Sequence, residues 1–294
     1  MRRVSFCLMN FSKIAILGPG LLGGSIALAL RARKADAQIA MWARREDAVV
    51  ELLREKIADV ASTSIDQIVN DAQLVVFCTP IGCMPELAEK IAPLIAPETL
   101  VTDVGSVKAP VVDTLAPIFS KRSRFVGSHP MAGSEQSGLA AARADLFENA
   151  ACILTPDERS DNDAVASIGA FWKFLGCRIH MLPPGEHDEI IARVSHLPHL
   201  VAATLVNLAV GENASALDFS GPGFRDTTRV ASGPPAMWTE IFEQNRDALE
   251  KSINAMIEKL RDVLKLLSAA DARAMEQFLT EAKTRRDALK PNKK

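Results

Sequence analysis

Lys13-Ile14-Ala15-Ile16-Leu17-Gly18-Pro19-Gly20-Leu21-Leu22-Gly23 is the stretch that decides the fold. A short apolar run leads into G-x-G-x-x-G, and an Ala/Leu-rich segment, Ser25 to Arg31, leads out of it. In that setting each glycine has a physical task. Gly18 allows the tight turn, Gly20 lets a pyrophosphate approach the backbone, and Gly23 lets the helix pack close to the strand. Leu21 and Leu22 lie between the glycines as cofactor-binding candidates, and the N-terminus of the helix that follows offers unpaired N–H groups to the phosphates. The stretch predicts a strand–turn–helix dinucleotide site. A glycine-rich turn without a ligand is the competing reading.

Downstream, short apolar runs alternate with helical patterns, as in βαβ units around a parallel sheet. Strands are expected at 13–17, 38–42, 74–79, 100–104, 124–128, 151–154 and 178–181, with helical segments such as 83–94 and 107–119 between them. Thr79-Pro80, Asp103-Val104-Gly105-Ser106 and Gly127-Ser128-His129-Pro130 close three of these strands. In an open parallel sheet ligands sit beyond the carboxyl ends of the strands, so these turns should share an edge with the glycine loop.

After Leu182-Pro183-Pro184-Gly185 only helical patterns remain, at 186–211, 237–267 and 269–289, around a Gly/Pro-rich loop at 220–226. The expected organisation is a loose extension at 1–12, a Rossmann-type α/β domain at 13–182 and an all-helical domain at 183–294. The long apolar stripes of the last domain exceed what it needs for its own core, which points to a homodimer through these helices. Residues 290–294 read as a solvated tail.

The remaining composition mainly excludes. A formal charge of −2 offers no electrostatic case for nucleic acid or an anionic membrane. Five scattered cysteines, never in a C-x-x-C pair, argue against disulfide and cysteine-rich zinc sites and fit a reducing cytoplasm. Arg2-Arg3 and the short apolar run after them stop short of a signal peptide. The most apolar segment, 190–210, is interrupted by Arg193, His196, Pro198 and His199, so no membrane span is expected.

At the far end of the cofactor, a carboxylate on the ribose 2′-hydroxyl is the usual device some 20 residues past the loop. Ala43 stands there, followed by Arg44 and Arg45. Without the acid a 2′-phosphate is no longer repelled, and an arginine fork can pair with it, which favours NADP over NAD. Two solvated charges at a helix entry, blunted by Glu46 and Asp47, are the plain alternative.

Histidine is scarce, five in all, so its placement is informative. His129 closes a strand on the cofactor edge, where a neutral imidazole can take a proton from a hydroxyl as hydride leaves the same carbon. His196 and His199 share one helix face at i, i+3. Without further ligands nearby, no metal is expected there. Arg225 and Arg229 are candidates for gripping a carboxylate, unless one of them pairs with Asp226.

Taken together and in order, residues 13–24, Thr79-Pro80, 103–108, His129-Pro130-Met131-Ala132-Gly133-Ser134-Glu135, 195–199 and 223–232 resemble the prephenate/arogenate dehydrogenases of tyrosine biosynthesis. The resemblance covers residues 13 to about 245. It implies that His129 is the base at the ring hydroxyl and that Ser106 orients it beside the nicotinamide. It also implies that Arg229 binds a substrate carboxylate, with His196, His199, Ser134, Glu135, Trp238 and Gly223 shaping the pocket. Pro222 departs from the family's all-glycine loop. The implied reaction is hydride transfer followed by decarboxylation to an aromatic ring. Prephenate would give 4-hydroxyphenylpyruvate, and arogenate would give tyrosine. A carboxylate among Glu186, Asp188 and Glu189 would bear on that choice. No chorismate mutase module and no separate amino-acid-sensing domain are expected. A hydroxyacid dehydrogenase of similar layout would rely on a lysine in its helical domain, and residues 186–232 contain none. A non-catalytic nucleotide sensor would have no need for His129, Ser106 and Arg229 together.

Overall fold

A computed structural model describes residues 11–120, 124–134, 136–211 and 214–289. Most of the expected extension, residues 1–10, and the tail 290–294 lie outside the described residues. Phe11 packs against the core and Ser12 N–H donates to Gln73 Oε1, so the ordered domain begins ahead of residue 13.

The first domain is built on eight strands: β1 (Lys13–Leu17), β2 (Gln38–Trp42), β3 (Val60–Ser62), β4 (Leu74–Phe77), β5 (Leu100–Asp103), β6 (Arg124–Pro130), β7 (Ala151–Thr155) and β8 (Arg178–Met181). They form one sheet in the order β3-β2-β1-β4-β5-β6-β7-β8. The crossover between β1 and β4 is the switch point at which dinucleotides bind in such sheets. Three-residue β3 is too short to show a period and escapes a reading of the sequence. The expectation of a wholly parallel sheet needs one correction. β7 runs antiparallel to β6, pairing His129 with Ile153 and Pro130 with Cys152. Strand β6 therefore extends two residues past the expected end, and His129 lies within it, held by a ladder rather than in a turn.

Alternation along β1 divides the core. Ile14 and Ile16 face one apolar layer, and Ala15 and Leu17 face the other. Helices α1 (Leu21–Ala32), α2 (Glu46–Arg54) and α6 (Asn162–Phe174) cover the first layer. Helices α3 (Ile65–Val69), α4 (Met84–Ile91) and α5 (Ala109–Phe119) cover the second. A sheet buried on both faces explains why its strands read as continuous apolar runs. Trp172 of α6 is fully buried, and its indole N–H donates to Ser128 Oγ at 2.9 Å, so the core reaches the strand that carries His129.

The second domain comprises α7 (Pro184–Ile191), a π-helical turn (Ala192–His196), α8 (Leu197–Val210), α9 (Pro222–Thr228), α10 (Pro235–Gln244), α11 (Arg246–Ser268) and α12 (Ala272–Asp287). Two details differ from the sequence reading. The Gly/Pro-rich segment is not a loop beyond Gly221: Pro222 starts α9, where a proline at the first turn loses no helical hydrogen bond. The amphipathic run at 237–267 is broken at Asn245, which leaves helical geometry at φ −114° and ψ 31°. Along α11, Ile257, Leu260, Leu264 and Leu267 stay exposed in an apolar stripe, as do Phe278 and Leu279 on α12.

Candidate active site

The glycine loop has the geometry its residues demand. Gly18 has φ +114°, and a Cβ there would lie 2.8 Å from Cys78 O at the end of β4. A Cβ on Gly23 would lie 2.0 Å from Gly18 O, so only glycine lets α1 start this close to β1. Gly20 borders open space and caps α1 without any side-chain hydrogen bond, leaving the amides of the Leu21-Leu22 turn free for a ligand. On the neighbouring turn, Thr79 Oγ1 is buried without a hydrogen-bond partner among the described residues. These features fit a pyrophosphate across the β1–β4 crevice, with Thr79-Pro80 beside it.

At the far end, Ala43 is fully buried just past β2, and Arg44 and Arg45 are exposed. Arg45 Nε lies 3.2 Å from Asp47 Oδ1, whereas Arg44 has no ion-pair partner among the described residues.

Where β5 and β6 diverge after the Thr102–Val126 pair, side chains take over from the ladder. Asp103 Oδ1 accepts the Ser128 N–H at 3.1 Å, and the Lys108 ammonium donates to Ser128 O at 3.1 Å. The Lys108 ammonium also pairs with Asp103 Oδ2, and both side chains are fully buried. Ser128 Oγ donates to Asp103 O at 2.6 Å. This clamp fixes the backbone immediately before His129.

His129 Nδ1 lies 2.9 Å from His187 Nε2, and His187 Nδ1 lies 2.7 Å from Asp188 Oδ1. The Asp188 carboxylate also accepts the Lys108 and Ala109 amides, at 2.7 and 2.8 Å, at the start of α5. Among the described residues His129 Nδ1 thus meets His187 and not Ser106. Ser106 is half-buried on the β5–α5 turn and makes no hydrogen bond to His129 among the described residues. In the sequence Lys108 and His187 carry no assigned task, and Asp188 bears only on the choice of substrate. The available signal was the His187-Asp188 dipeptide one residue past the Pro183-Pro184-Gly185 boundary.

From the helical side, the π-turn and α8 bring in His196 and His199. Single π-turns often accompany functional sites, because the extra residue re-aims a side chain. The Asn245 amide nitrogen donates to Asp188 O at 2.9 Å and to His196 Nδ1 at 3.1 Å, which is why the helix breaks at that residue. His196 Nδ1 therefore accepts, and its Nε2 carries the proton, buried and without a partner among the described residues. His199 stacks on Trp238 of α10 with ring centroids 3.6 Å apart, and its Nδ1 is likewise buried and unpartnered. Two residues on, Glu240 Oε1 accepts the Gly82 N–H, joining α10 to the turn after Thr79-Pro80.

The other expected pocket residues are less enclosed. Gly223, Arg225 and Arg229 are exposed on α9 and the turn that follows it. Ser134 is exposed and folds into a local turn, accepting the Gln136 N–H at 2.9 Å. Glu135 lies outside the described residues. Among the acids at the domain boundary, Asp188 is bound to His187 and α5, Glu189 faces Lys251 at 3.7 Å, and Glu186 is exposed.

Burial pushes His196 down to about 4 and lowers His129, His187 and His199 below the ordinary 6.5. Each imidazole holds its proton less tightly folded than unfolded, so stability is complete above pH 6.5 and is lost as the pH falls toward 4. His196 alone accounts for roughly 3 kcal/mol across that window. The thermal midpoint should fall by roughly 5 °C between pH 7 and pH 5. A flat midpoint over that range would contradict the burial of these rings.

Comparison with known proteins agrees with this architecture. Residues 26–181 match the prephenate dehydrogenase nucleotide-binding domain, and residues 183–281 match the prephenate dehydrogenase dimerization domain. The prephenate dehydrogenase of Bacillus subtilis is 37% identical over 287 residues, covering 96% of this chain and 77% of that one. The cyclohexadienyl dehydrogenase of Zymomonas mobilis is 32% identical, covering 95% and 97%. The crystal structure of prephenate dehydrogenase from A. aeolicus, in complex with hydroxyphenyl propionate and NAD+, superposes with a TM-score of 0.89 at 30% identity. That superposition covers 95% of this chain and 98% of that one. With both domains matched in order, the chain belongs to the prephenate dehydrogenase family.

Proposed function

We propose that the protein oxidises prephenate at its ring hydroxyl, with loss of the ring carboxylate as carbon dioxide, to give 4-hydroxyphenylpyruvate for tyrosine synthesis in the cytoplasm. The observation that carries this is His129, a buried imidazole on the cofactor edge of the sheet, tied through Nδ1 so that Nε2 is left for a ligand. His129 takes the hydroxyl proton as the carbinol carbon is oxidised. The nicotinamide, when bound, supplies the hydride acceptor. The His196 Nε2–H offers a donor to a substrate oxygen, Arg229 grips a carboxylate, and the His199–Trp238 stack forms an apolar wall, with Ser106, Ser134 and Gly223 contributing to the rest of the pocket.

Prephenate is preferred to arogenate because Asp188, the one buried acid of the three at the domain boundary, is no free carboxylate for a substrate amine, while Glu186 and Glu189 are exposed. Asp188 in particular is occupied on both oxygens. The cofactor reading is NADP, supported by the buried methyl of Ala43 and the exposed Arg44, which has no ion-pair partner among the described residues. A homodimer through α11 and α12 accounts for their exposed apolar stripe.

A two-by-two assay of prephenate and arogenate, each with NAD and NADP, tests both choices. Arg44→Ala should lower kcat/KM for NADP roughly tenfold or more and leave that for NAD unchanged. Wild-type preference for NAD would overturn the cofactor reading, and faster turnover of arogenate would overturn the substrate reading.

A further inference from the structure

The chain His129–His187–Asp188 crosses from β6 to α7 and is buried throughout. Its far end is anchored in backbone. Asp188 accepts two amides from the start of α5 and the proton of His187 Nδ1, all within 2.7–2.8 Å. An ionised carboxylate only accepts, so His187 must present Nδ1–H to it. Neutral His187 then has a bare Nε2, which can only accept, and the remaining proton in the 2.9 Å contact must sit on His129 Nδ1.

We propose that His187 and Asp188 are positioning residues for the reaction, holding His129 as the Nδ1–H tautomer with Nε2 bare. An imidazole in the other tautomer would meet the ring hydroxyl with a donor and could not remove its proton. The two histidines of the pocket are thus set in opposite senses: the Asp188 chain leaves an acceptor on His129, and Asn245 leaves a donor on His196. One contact serves both settings, because Asn245 also holds the Asp188 carbonyl. The arrangement also ties the base to the joint between the two domains, since His129 belongs to the sheet and its orienting pair to the first helix of the helical domain.

This inference rests on His129 being the base, so its test separates the two. Asp188→Asn keeps size and shape but leaves one oxygen for three donors, and with that oxygen on the Ala109 amide its N–H faces the Lys108 amide and His187 Nδ1. His187 then turns to the Nε2–H tautomer and His129 is forced to carry its proton on Nε2. The expected result is a fall in kcat for prephenate of about 10²-fold with KM changed less than about threefold. The second readout is the histidine ring nitrogen-15 spectrum of the full chain, with His129 identified by the signals missing in His129→Asn. In the wild type, His129 Nε2 should be of the unprotonated, pyridine type. In Asp188→Asn it should become protonated.

A wild-type His129 protonated at Nε2 would overturn the proposal without any variant, so a poorly folding Asp188→Asn does not shelter it. A folded Asp188→Asn in which His129 carries its proton on Nε2 and kcat is still that of the wild type would also overturn it. Full activity in His129→Asn would instead remove the reading of His129 as base, while the spectra still report the tautomer.

Discussion

Replacing His129 by asparagine lowers kcat for prephenate oxidation about 10³-fold, with cofactor affinity and thermal stability near those of the wild type. The asparagine amide can still donate to His187 Nε2, the group that His129 Nδ1 meets at 2.9 Å, so the buried chain keeps a partner at that point. The bare nitrogen that receives the hydroxyl proton has no counterpart in the variant. The wild-type pH profile provides an independent check. Burial, and then the nearby His187, Lys108 and His196, hold the His129 imidazole well below its ordinary 6.5. A base works in its unprotonated form, so kcat/KM should stay on its plateau as the pH falls through 6.5 and decline only below it. An asparagine variant with more than a tenth of wild-type kcat would remove His129 from the chemistry. An acid limb centred at or above 6.5 would contradict the buried, neutral imidazole.

Much of this site could be read from the sequence because its elements are local. Lys13–Leu17 and the three glycines after it carry both the strand and the reason for the turn, and the bounds of β1, β2 and β8 agree residue for residue with expectation. Direction is not local. Ala151–Thr155 has the same apolar pattern whichever way it runs, so the antiparallel pairing that places His129 inside a strand was not legible. Asn245 was hidden for a related reason. The apolar period continues on both sides of it, and only its contacts with Asp188 and His196, 57 and 49 residues earlier in the chain, explain the break. His187 reaches His129 across 58 residues, which no spacing rule predicts. Ser106 lies on the turn that the sequence assigns to it, and the contact at His129 Nδ1 is made by the histidine from the other domain.

Lys108→Met should destabilise the fold by about 3–5 kcal/mol, read as a shift of the urea midpoint at unchanged slope. In sequence Lys108 looks like a helix-entry charge destined for solvent. In the fold its side chain has no exposed surface and its ammonium meets Asp103, which is equally buried. Replacing such a pair outright can be neutral, because both charges bear the cost of leaving water. Removing one member leaves the other charged and without its counter-ion in the interior. Here the stranded group would be Asp103, which cannot turn outward, because its oxygens also accept the Gly105 and Ser128 amides at 2.8 and 3.1 Å. Methionine fills much of the volume, so the loss isolates the charge rather than a cavity. Activity should fall with stability. The Ser128 carbonyl loses its donor where the β5–β6 ladder has already ended, and His129 is the next residue. A midpoint shift equivalent to less than about 1 kcal/mol would mean that water or a neutral Asp103 replaces the lysine. The clamp would then have no special part in holding the base.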